Sequence, residues 1–406
     1  MGFYISLSGI RAASSGLNVI GNNIANISTT GFKASRAEFA DVYSSSLVGS
    51  SNTVIGQGVR LAAVTQQFQQ GNITFTGNSL DMAVNGDGFF MLTDENGAAL
   101  YSRAGNFSID RDGYVVNGEG LFLNARGANA DGEITGGIGP IRLDSSYAAP
   151  NPTSEVSANL NFDSRAPETD SAWSVGATGI PDPAGYNSAT SVSVYDSLGN
   201  AHTLTIYYSK TATDNQWTVR TMIGGNVLST DTVTFNPDGT YDSPASIALT
   251  WDPGGGAAPG QNITLDLSQS TQYGTEFAVN AMNQNGYTTG QVLDVDIDEQ
   301  GIIFARYSNG LSRAIGQVML VSFANQQGLQ PVGDTAWAET FASGEPVVSE
   351  PGTGGLGLIQ AGALEESNVD LTEQLVLMIS AQRNFQANAK AIQAEDAVTQ
   401  TIINLR

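Results

Sequence analysis

The residue best able to act as a catalytic base in this sequence is His202, the only histidine among 406 residues. A histidine base needs a nucleophile and a carboxylate placed around it, and no Gly-x-Ser-x-Gly motif marks a nucleophile here. We therefore expect His202 to be a surface or pairing residue with a structural role.

A run of alternating aspartates offers a second candidate chemistry. Asp294, Asp296 and Asp298 are spaced as the first carboxylates of a calcium-binding loop. Such a loop also needs glycine at its sixth position and glutamate at its twelfth, where this chain has Glu299 and Ala305. We predict a strand instead, with its aspartates in water and its intervening apolar residues inward, followed by a turn.

The composition excludes several other kinds of site. The chain has no cysteine, which rules out disulfides, thiolate metal sites and cysteine nucleophiles. The glycine-rich residues 86–88 and 136–139 do not begin a strand–loop–helix unit, so we interpret them as turns. Paired carboxylates for glycoside hydrolysis remain open because 39 acids are present, although the four tryptophans are scattered. We expect no metal, no cofactor and no enzymatic activity.

Charge is distributed unevenly along the chain. The formal net charge is −23, which argues against nucleic acid as a partner. Residues 1–70 carry +2, residues 362–406 carry −3, and residues 71–361 carry the remaining −22. No apolar run is long enough for a transmembrane helix, and the first thirty residues lack the pattern of a secretory signal. We expect the nearly neutral ends to be buried against copies of themselves.

The amino-terminal end has a heptad pattern. Phe3, Ile10, Leu17 and Ile24 recur every seven residues and predict an amphipathic helix. Its glycines cost about 1 kcal/mol each relative to alanine, so this helix is marginal unless something packs against it.

The carboxyl-terminal end predicts a stronger helix, from residue 371 to Arg406, because neither glycine nor proline interrupts it. Asp370 and Glu373 are placed as a capping box at its start. An apolar stripe and amide-rich faces follow. Two amphipathic ends around a non-helical middle predict that the termini pair as a coiled coil.

The middle of the chain has the alternation and turn signals of β structure. Residues 89–102 predict a hairpin with a two-residue turn at Asn96 and Gly97. Pairing of the termini would bring the segments before and after 146–284 together, so that block is predicted as an insertion. The predicted fold class is α+β, mostly β, with paired terminal helices and two β-rich domains, the outer one inserted in the middle one. The predicted parts are an amino-terminal helix and connecting segment (1–70), a middle β domain (71–145 and 285–360), an outer inserted β domain (146–284) and a carboxy-terminal helix (361–406).

Three stretches resemble the axial proteins of the bacterial flagellar rod and hook. Residues 21–33, GNNIANISTTGFK, are similar to the amino-terminal signature of that family. Residues 80–90, LDMAVNGDGFF, and 101–105, YSRAG, are similar to a block that distal-rod and hook proteins share. Residues 367–371, SNVDL, and 382–390, QRNFQANAK, resemble the carboxy-terminal helix of the family.

This resemblance implies a structural protein of the flagellum. A member is exported unfolded by the flagellar type III apparatus without a cleaved signal peptide, and it polymerises outside the cell. The length of the chain and its insertion favour a hook-type member, a subunit of a curved, flexible tube that acts as a universal joint between rod and filament. The implied partners are copies of itself, the distal rod, the hook cap, the hook–filament junction proteins and the export apparatus. The alternatives are a distal-rod-type axial protein, a secreted acidic glycoside hydrolase and an adhesin.

We expect the assembly contacts to come from the two terminal segments. After the first helix, the turn should join the helical base to the β layer, with a positive φ at Gly31 and with Phe32 as its apolar anchor. The predicted contact residues of the first segment are Ile10, Leu17, Asn22, Asn23, Ile24, Asn26, Gly31, Phe32 and Lys33. Those of the last segment are Leu371, Leu375, Met378, Gln382, Arg383, Phe385, Gln386, Asn388 and Ile392.

Overall fold

Two helices form at the ends of the chain, as their heptad and capping patterns predict. The computed structural model describes residues 2–42, 56–129, 132–143, 148–176 and 179–404. Helix α1 is Gly2–Ala25 and helix α2 is Leu371–Asn404. Asp370 caps α2, because its Oδ1 accepts the backbone N–H of Thr372 at 2.7 Å and of Glu373 at 3.1 Å. The predicted last residue, Arg406, lies outside the described residues.

Between the helices most of the described residues form strands, which are connected by turns, by longer segments and by short 3-10 helices. The strands are β1 (Ser35–Asp41), β2 (Val59–Gln66), β3 (Ile73–Phe75), β4 (Met82–Asn85), β5 (Phe89–Thr93), β6 (Ala99–Ser102), β7 (Ser108–Ile109), β8 (Val115–Val116), β9 (Phe122–Ala128), β10 (Ile134–Pro140), β11 (Glu155–Asp163), β12 (Ser188–Tyr195), β13 (Ala201–Lys210), β14 (Gln216–Ile223), β15 (Asn226–Phe235), β16 (Tyr241–Ser243), β17 (Ile247–Trp251), β18 (Gln261–Asp266), β19 (Thr271–Tyr273), β20 (Ala278–Gln284), β21 (Val292–Ile297), β22 (Ile302–Tyr307), β23 (Ser312–Val318), β24 (Leu320–Ser322), β25 (Gln330–Gly333), β26 (Ala336–Ala338), β27 (Val347–Ser349), β28 (Leu358–Ala361) and β29 (Ala363–Glu365). The predicted fold class, α+β and mostly β with paired terminal helices, is confirmed.

The chain folds as two units. Unit 1 comprises Met1–Ser145, Asp294–Arg306 and Ser312–Arg406. It contains both helices, the β1–β2 ribbon, the small pairs β3–β29 and β4–β28, and one large sheet ordered β21-β22-β23-β9-β5-β6-β26-β25. Phe90 and Leu123 are fully buried in the core of this sheet.

Unit 2 comprises Ser146–Leu293 and Tyr307–Leu311. It consists of two sheets, β12-β13-β14-β15-β16 and β17-β18-β11-β19 with β20 beside β11. Phe162 from one sheet and Trp217 from the other meet in one core at a ring distance of 5.1 Å.

Unit 2 extends to residue 293, nine residues beyond the end predicted for the inserted domain. Its first and last segments pair with each other, since Ala148 forms a bridge with Gly290 and Asn151 with Tyr287. The division into four parts that the sequence suggests stays a prediction, and its boundary at 145/146 lies outside the described residues.

The first hairpin of unit 1, β5–β6, is confirmed, but its two-residue turn is wrong. Its loop has three residues, because Asp94 N donates to Ala98 O at 3.1 Å and Gly97 N donates to Asp94 O at 3.1 Å. Gly97 has a φ of +86°, the left-handed residue that such a loop needs. The carboxylate of Asp94 closes the loop by accepting the N–H of Asn96 at 2.9 Å and of Ala98 at 2.7 Å.

Candidate functional site at the paired termini

Helices α1 and α2 pack side by side in opposite directions. A Cβ added to Gly9 would lie 2.5 Å from Asn388 Oδ1, so the two helices approach closely there. Fourteen residues later, the amide of Asn23 donates to Gln374 Oε1 at 3.2 Å. From the first pair to the second, the residue number rises by fourteen in α1 and falls by fourteen in α2. Both pairs therefore belong to one antiparallel register. The predicted pairing of the termini is therefore present within one chain.

The residues of α1 that contact α2 most closely come one position before those of the predicted heptad. The heptad at Phe3, Ile10, Leu17 and Ile24 lies one position after the facing residues of α1, of which Gly9 is one. Phe3 is 46% exposed, and the other three are partly buried. A glycine without a Cβ lets the helix backbones approach, which an apolar side chain at the same position would prevent.

The turn after α1 is held by its own polar groups and by a close approach of the backbone. The Asn26 amide donates to Asn22 O at 2.9 Å, and the Thr29 hydroxyl donates to Asn26 Oδ1 at 3.1 Å. Gly31 has a φ of +68°, which confirms the predicted positive φ. An added Cβ there would lie 2.5 Å from the backbone nitrogen of Ala104. Position 31 thus requires glycine for both its conformation and its space.

A cluster of buried charges connects this turn to the β core and to the start of α2. Lys33 Nζ lies 2.6 Å from Glu365 Oε1, and Arg103 Nη1 lies 3.3 Å from Glu365 Oε2. The three side chains are at most 1% exposed. Glu365 Oε1 also accepts the N–H of Gly71 at 2.8 Å, and Lys33 donates to Gln69 O at 2.7 Å. One carboxylate therefore joins three segments that are distant in sequence.

Burial is the largest cause of the pKa changes of both cations in this cluster. It lowers the pKa of Lys33, and the attraction of Glu365 opposes that change only in part. Burial likewise lowers the pKa of Arg103, whose charge is further supported by Glu365 and by Asp87. Arg103 also donates to Gly86 O at 2.8 Å. Both cations therefore depend on Glu365, because removing one partner of a buried ion pair leaves an uncompensated charge.

Beside this cluster, the side-chain amides of two asparagines form hydrogen bonds with backbone N–H and C=O groups. Asn23 accepts the N–H of Ser35 at 2.9 Å and donates to Ser35 O at 2.8 Å, as a neighbouring strand would. Asn368 accepts the N–H of Ala34 at 2.7 Å and donates to Gln67 O at 2.7 Å. These amides connect α1, the start of β1 and the segment before α2 into one junction.

The predicted contact residues fall into three groups by exposure. The buried ones are Asn23, Gly31 and Lys33, which hold segments of the same chain together. The partly buried ones are Ile10, Leu17, Ile24, Asn26, Phe32, Met378, Asn388 and Ile392. The exposed ones are Asn22, Leu371, Leu375, Gln382, Arg383, Phe385 and Gln386. A direct role of any of them between copies stays a prediction.

Sequence reasoning missed several residues of the junction. Arg103 and Asn368 lie inside the two stretches 101–105 and 367–371, so the resemblance marked their neighbourhood without giving them a role. Glu365 carries no local signal, because its partner Lys33 is 332 residues away. Gln374 has no sequence signal beyond its place among the amides of the predicted carboxyl-terminal helix.

His202 is a pairing residue, as predicted. Its Nε2 lies 3.2 Å from Asp196 Oδ2, and its ring packs edge-on against Trp251 at 4.8 Å. Burial raises the pKa of Asp196, but hydrogen bonds from Asn200, His202 and Leu198 outweigh it and lower that pKa to about 2. The ionised Asp196 thus holds the loop between β12 and β13 together.

The alternating aspartates are also structural. Val295 and Ile297 are buried in β21, and Asp294 and Asp296 are exposed. Asp298 closes the next hairpin loop by accepting the N–H of Gln300 and of Ile302. Among the residues the structure describes, no group of three or more histidine, cysteine or acidic side chains could hold a metal ion. Nor is either helix, over its described length, both long and apolar enough to cross a membrane.

Four family models match successive parts of the chain. They are Flagella basal body rod protein (3–33), Flagellar hook protein FlgE/F/G D1 domain (83–179), Flagellar basal body protein FlaE D2 domain (159–287) and Flagellar basal body rod FlgEFG protein C-terminal (360–405). Both helices lie largely within the two terminal models.

Curated relatives match over the full length of the chain. It is 38% identical over 416 residues to the flagellar hook protein FlgE of Salmonella typhimurium strain LT2, covering 100% of each chain. It is 32% identical over 448 residues to FlgE of Borreliella burgdorferi strain B31, covering 99% of each. The crystal structure of Helicobacter pylori flagellar hook protein FlgE2 has a TM-score of 0.56 at 14% identity, covering 72% of this chain and 100% of that one. That last similarity concerns the fold alone.

Proposed function

The chain belongs to the flagellar hook protein family and is a structural subunit of the flagellar hook, and we propose that copies of it assemble into a helical tube through the paired terminal helices. Its relatives are structural proteins, not enzymes. They are hook proteins along their whole length, which leaves the distal-rod, glycoside hydrolase and adhesin alternatives without support.

The observation that carries this proposal is an uncovered apolar surface on α2. Val376 is 62% exposed and Ile379 is 50% exposed. Gln374 is the α2 residue that contacts α1. At 100° per residue, Val376 lies about 200° and Ile379 about 140° around the helix axis from Gln374, so both are on the side away from α1. Fully burying a side chain of this size contributes about 1.5–3 kcal/mol, and a neighbouring copy that covers this face would gain about half of that for each residue.

We propose that residues 1–70 and 361–406 form the inner layer of the tube, 71–145 with 285–360 its middle layer, and 146–284 its outer layer. The charge distribution supports this order, because the terminal segments are nearly neutral while residues 71–361 carry −22. Like charges repel less where they are far apart and in water. An outer position for the acidic residues satisfies both conditions.

We further propose that the assembled tube bends as a universal joint between rod and filament. Its other partners would be the distal rod, the hook cap, the hook–filament junction proteins and the export apparatus. The amides on α2 support exchangeable contacts, because a neutral hydrogen bond contributes only about 0.5–1.5 kcal/mol and can be replaced by water.

Export of the unfolded chain without a cleaved signal, to a location outside the cell, is also part of the proposal. The glycines of α1 support it, because they make that helix marginal before it packs against α2. The absence of cysteine from the sequence supports it as well, since an exported chain then forms no stray disulfide in an oxidising exterior.

The test substitutes the apolar face of α2 and observes assembly. Val376→Asp and Ile379→Asp place a charge where a neighbour would have to desolvate it. We expect both variants to remain folded as monomers by circular dichroism and to lose tube formation by electron microscopy and swimming in cells. Ile180→Asp is the matched control, because Ile180 is a 68% exposed apolar residue of unit 2. We expect this variant to assemble normally. Normal tubes from the two α2 variants would refute assembly through this helix.

A further inference from the structure

A groove in unit 1 lies between α1 and β2, away from the apolar face of α2 described above. It has a volume of about 290 Å³. The residues that matter for its chemistry are Tyr4, Leu7, Ala12, Leu61, Arg11 and Arg60. The groove therefore combines an apolar floor with two cations.

Both arginines of this groove are exposed and available. Within the described chain, neither Arg11 nor Arg60 forms an ion pair or a side-chain hydrogen bond. Together they give the groove a local positive charge in a chain whose net charge is −23. A ligand for this groove should thus carry an apolar side chain and a carboxylate.

The last turns of α2 have that combination. The helix register places Gly2 beside Glu395, and α2 continues to Asn404. Ile403 is 66% exposed, and Asp396 is exposed with no side-chain partner in the described residues. These two residues are seven positions apart and so lie on nearly the same face of the helix.

The same copy cannot supply this end to its own groove. The antiparallel register places the groove residues of α1 opposite the part of α2 that precedes Glu395. From Glu395 the helix leads away from the groove, and Ile403 lies about 12 Å further along its axis at 1.5 Å per residue. The end must therefore meet a different copy.

We propose that the α2 end of one copy, residues 396–403, docks in the α1–β2 groove of the next copy. Ile403 fills the apolar floor, and Asp396 pairs with Arg11 and Arg60. This inference rests on the proposed assembly and names one of its contacts. Because the groove and the helix end are different surfaces, the contact is heterologous and can propagate along an open helical polymer.

The experiment reverses the charges on each side of the contact separately. Arg11→Glu and Asp396→Arg each place like charges together, and we expect each to raise the critical concentration for polymerisation about tenfold. The double variant Arg11→Glu/Asp396→Arg restores opposite charges and should polymerise within about threefold of the unmodified chain. Arg306→Glu, another exposed arginine with no side-chain partner in the described chain, controls for the change in net charge.

A mixture of the two single variants gives the sharpest result. In alternating order, the basic helix end of the Asp396→Arg copy meets the acidic groove of the Arg11→Glu copy. The unchanged acidic end of the Arg11→Glu copy then meets the unchanged basic groove of the next Asp396→Arg copy, so every contact has opposite charges. Two variants that fail alone should therefore polymerise together. If polymerisation is restored neither in the double variant nor in the mixture, the proposal is overturned, and the groove would bind another acidic segment.

These outcomes are separable from a failure of the proposed function. If Arg11→Glu polymerises normally while Val376→Asp does not, helical assembly stands and the groove contact is wrong. Arg11, Asp396, Arg306 and Val376 are all exposed, and circular dichroism of the monomers confirms that the variants are folded before assembly is compared.

Discussion

Substitution of Glu365 by glutamine tests whether the buried charge cluster holds the termini to the β core. The variant keeps the shape of the side chain and removes its charge. Lys33 and Arg103 are both at most 1% exposed. Lys33 would then be buried without a counter-charge, and Arg103 would retain only the attraction of Asp87. We expect unit 1 to lose stability and unit 2 to keep its own.

The magnitude follows from the geometry. Breaking a buried ion pair by removing one partner costs about 3–5 kcal/mol. Lys33 keeps its hydrogen bond to Gln69 O, and Arg103 keeps its hydrogen bond to Gly86 O, so the loss should be near the lower value. For a unit of this size, about 3 kcal/mol corresponds to a fall of about 6–12 °C in the unfolding temperature.

Differential scanning calorimetry of the purified chain measures this directly. The transition of unit 2 serves as an internal control, because Lys33, Arg103 and Glu365 all belong to unit 1. Lys33→Met is the matched comparison and should cost less, since Glu365 keeps Arg103 and the N–H of Gly71. A fall of less than about 2 °C for Glu365→Gln, or an equal fall in both units, would refute the reasoning.

Three further predictions concern single residues. Hydrogen bonds, opposed by burial, hold the pKa of Asp196 at about 2, below its ordinary 3.8. The ionised carboxylate thus stabilises unit 2 above about pH 4 and loses that effect as the pH falls towards 2. In Asp196→Asn, the free energy of unfolding in urea should therefore depend less on pH between about 4 and 2. Gly31→Ala should cost more than about 2 kcal/mol and reduce swimming, whereas Gly120→Ala, at a φ of +82° with open space, should cost only the strain. His202→Gln and Asp296→Asn should leave swimming unchanged, and loss of motility in either would revive a catalytic or metal-binding interpretation.

The sequence alone predicts the elements whose signals are local. The heptads define α1, the cap at Asp370 defines the start of α2, and alternation with a turn defines the β5–β6 hairpin. The loop of that hairpin was predicted one residue too short, because Asn96 and Gly97 also fit a two-residue turn. What decides between the two loops is the carboxylate of Asp94, which accepts two N–H groups across the loop.

The junction could not be predicted because its partners meet only after folding. The single negative charge that binds Lys33 is contributed by Glu365, from the other end of the chain. Nothing in the residues around position 365 distinguishes this glutamate from the exposed Glu366 next to it. Pairing across 332 residues is a property of topology and not of local pattern.

The apolar heptad of α1 lies beside the residues that contact α2 most closely, and this bears on assembly. An apolar heptad marks the face that must leave water, but it does not say whether the same chain or a neighbour covers it. Within the chain, the helices approach closely at Gly9 and share a hydrogen bond from Asn23 to Gln374, which is worth about 0.5–1.5 kcal/mol. Val376 and Ile379 of α2 are 62% and 50% exposed, and full burial of a side chain of this size is worth about 1.5–3 kcal/mol. We therefore expect burial of these side chains by a neighbouring copy to add to the pairing of the helices within one copy, which would favour polymerisation.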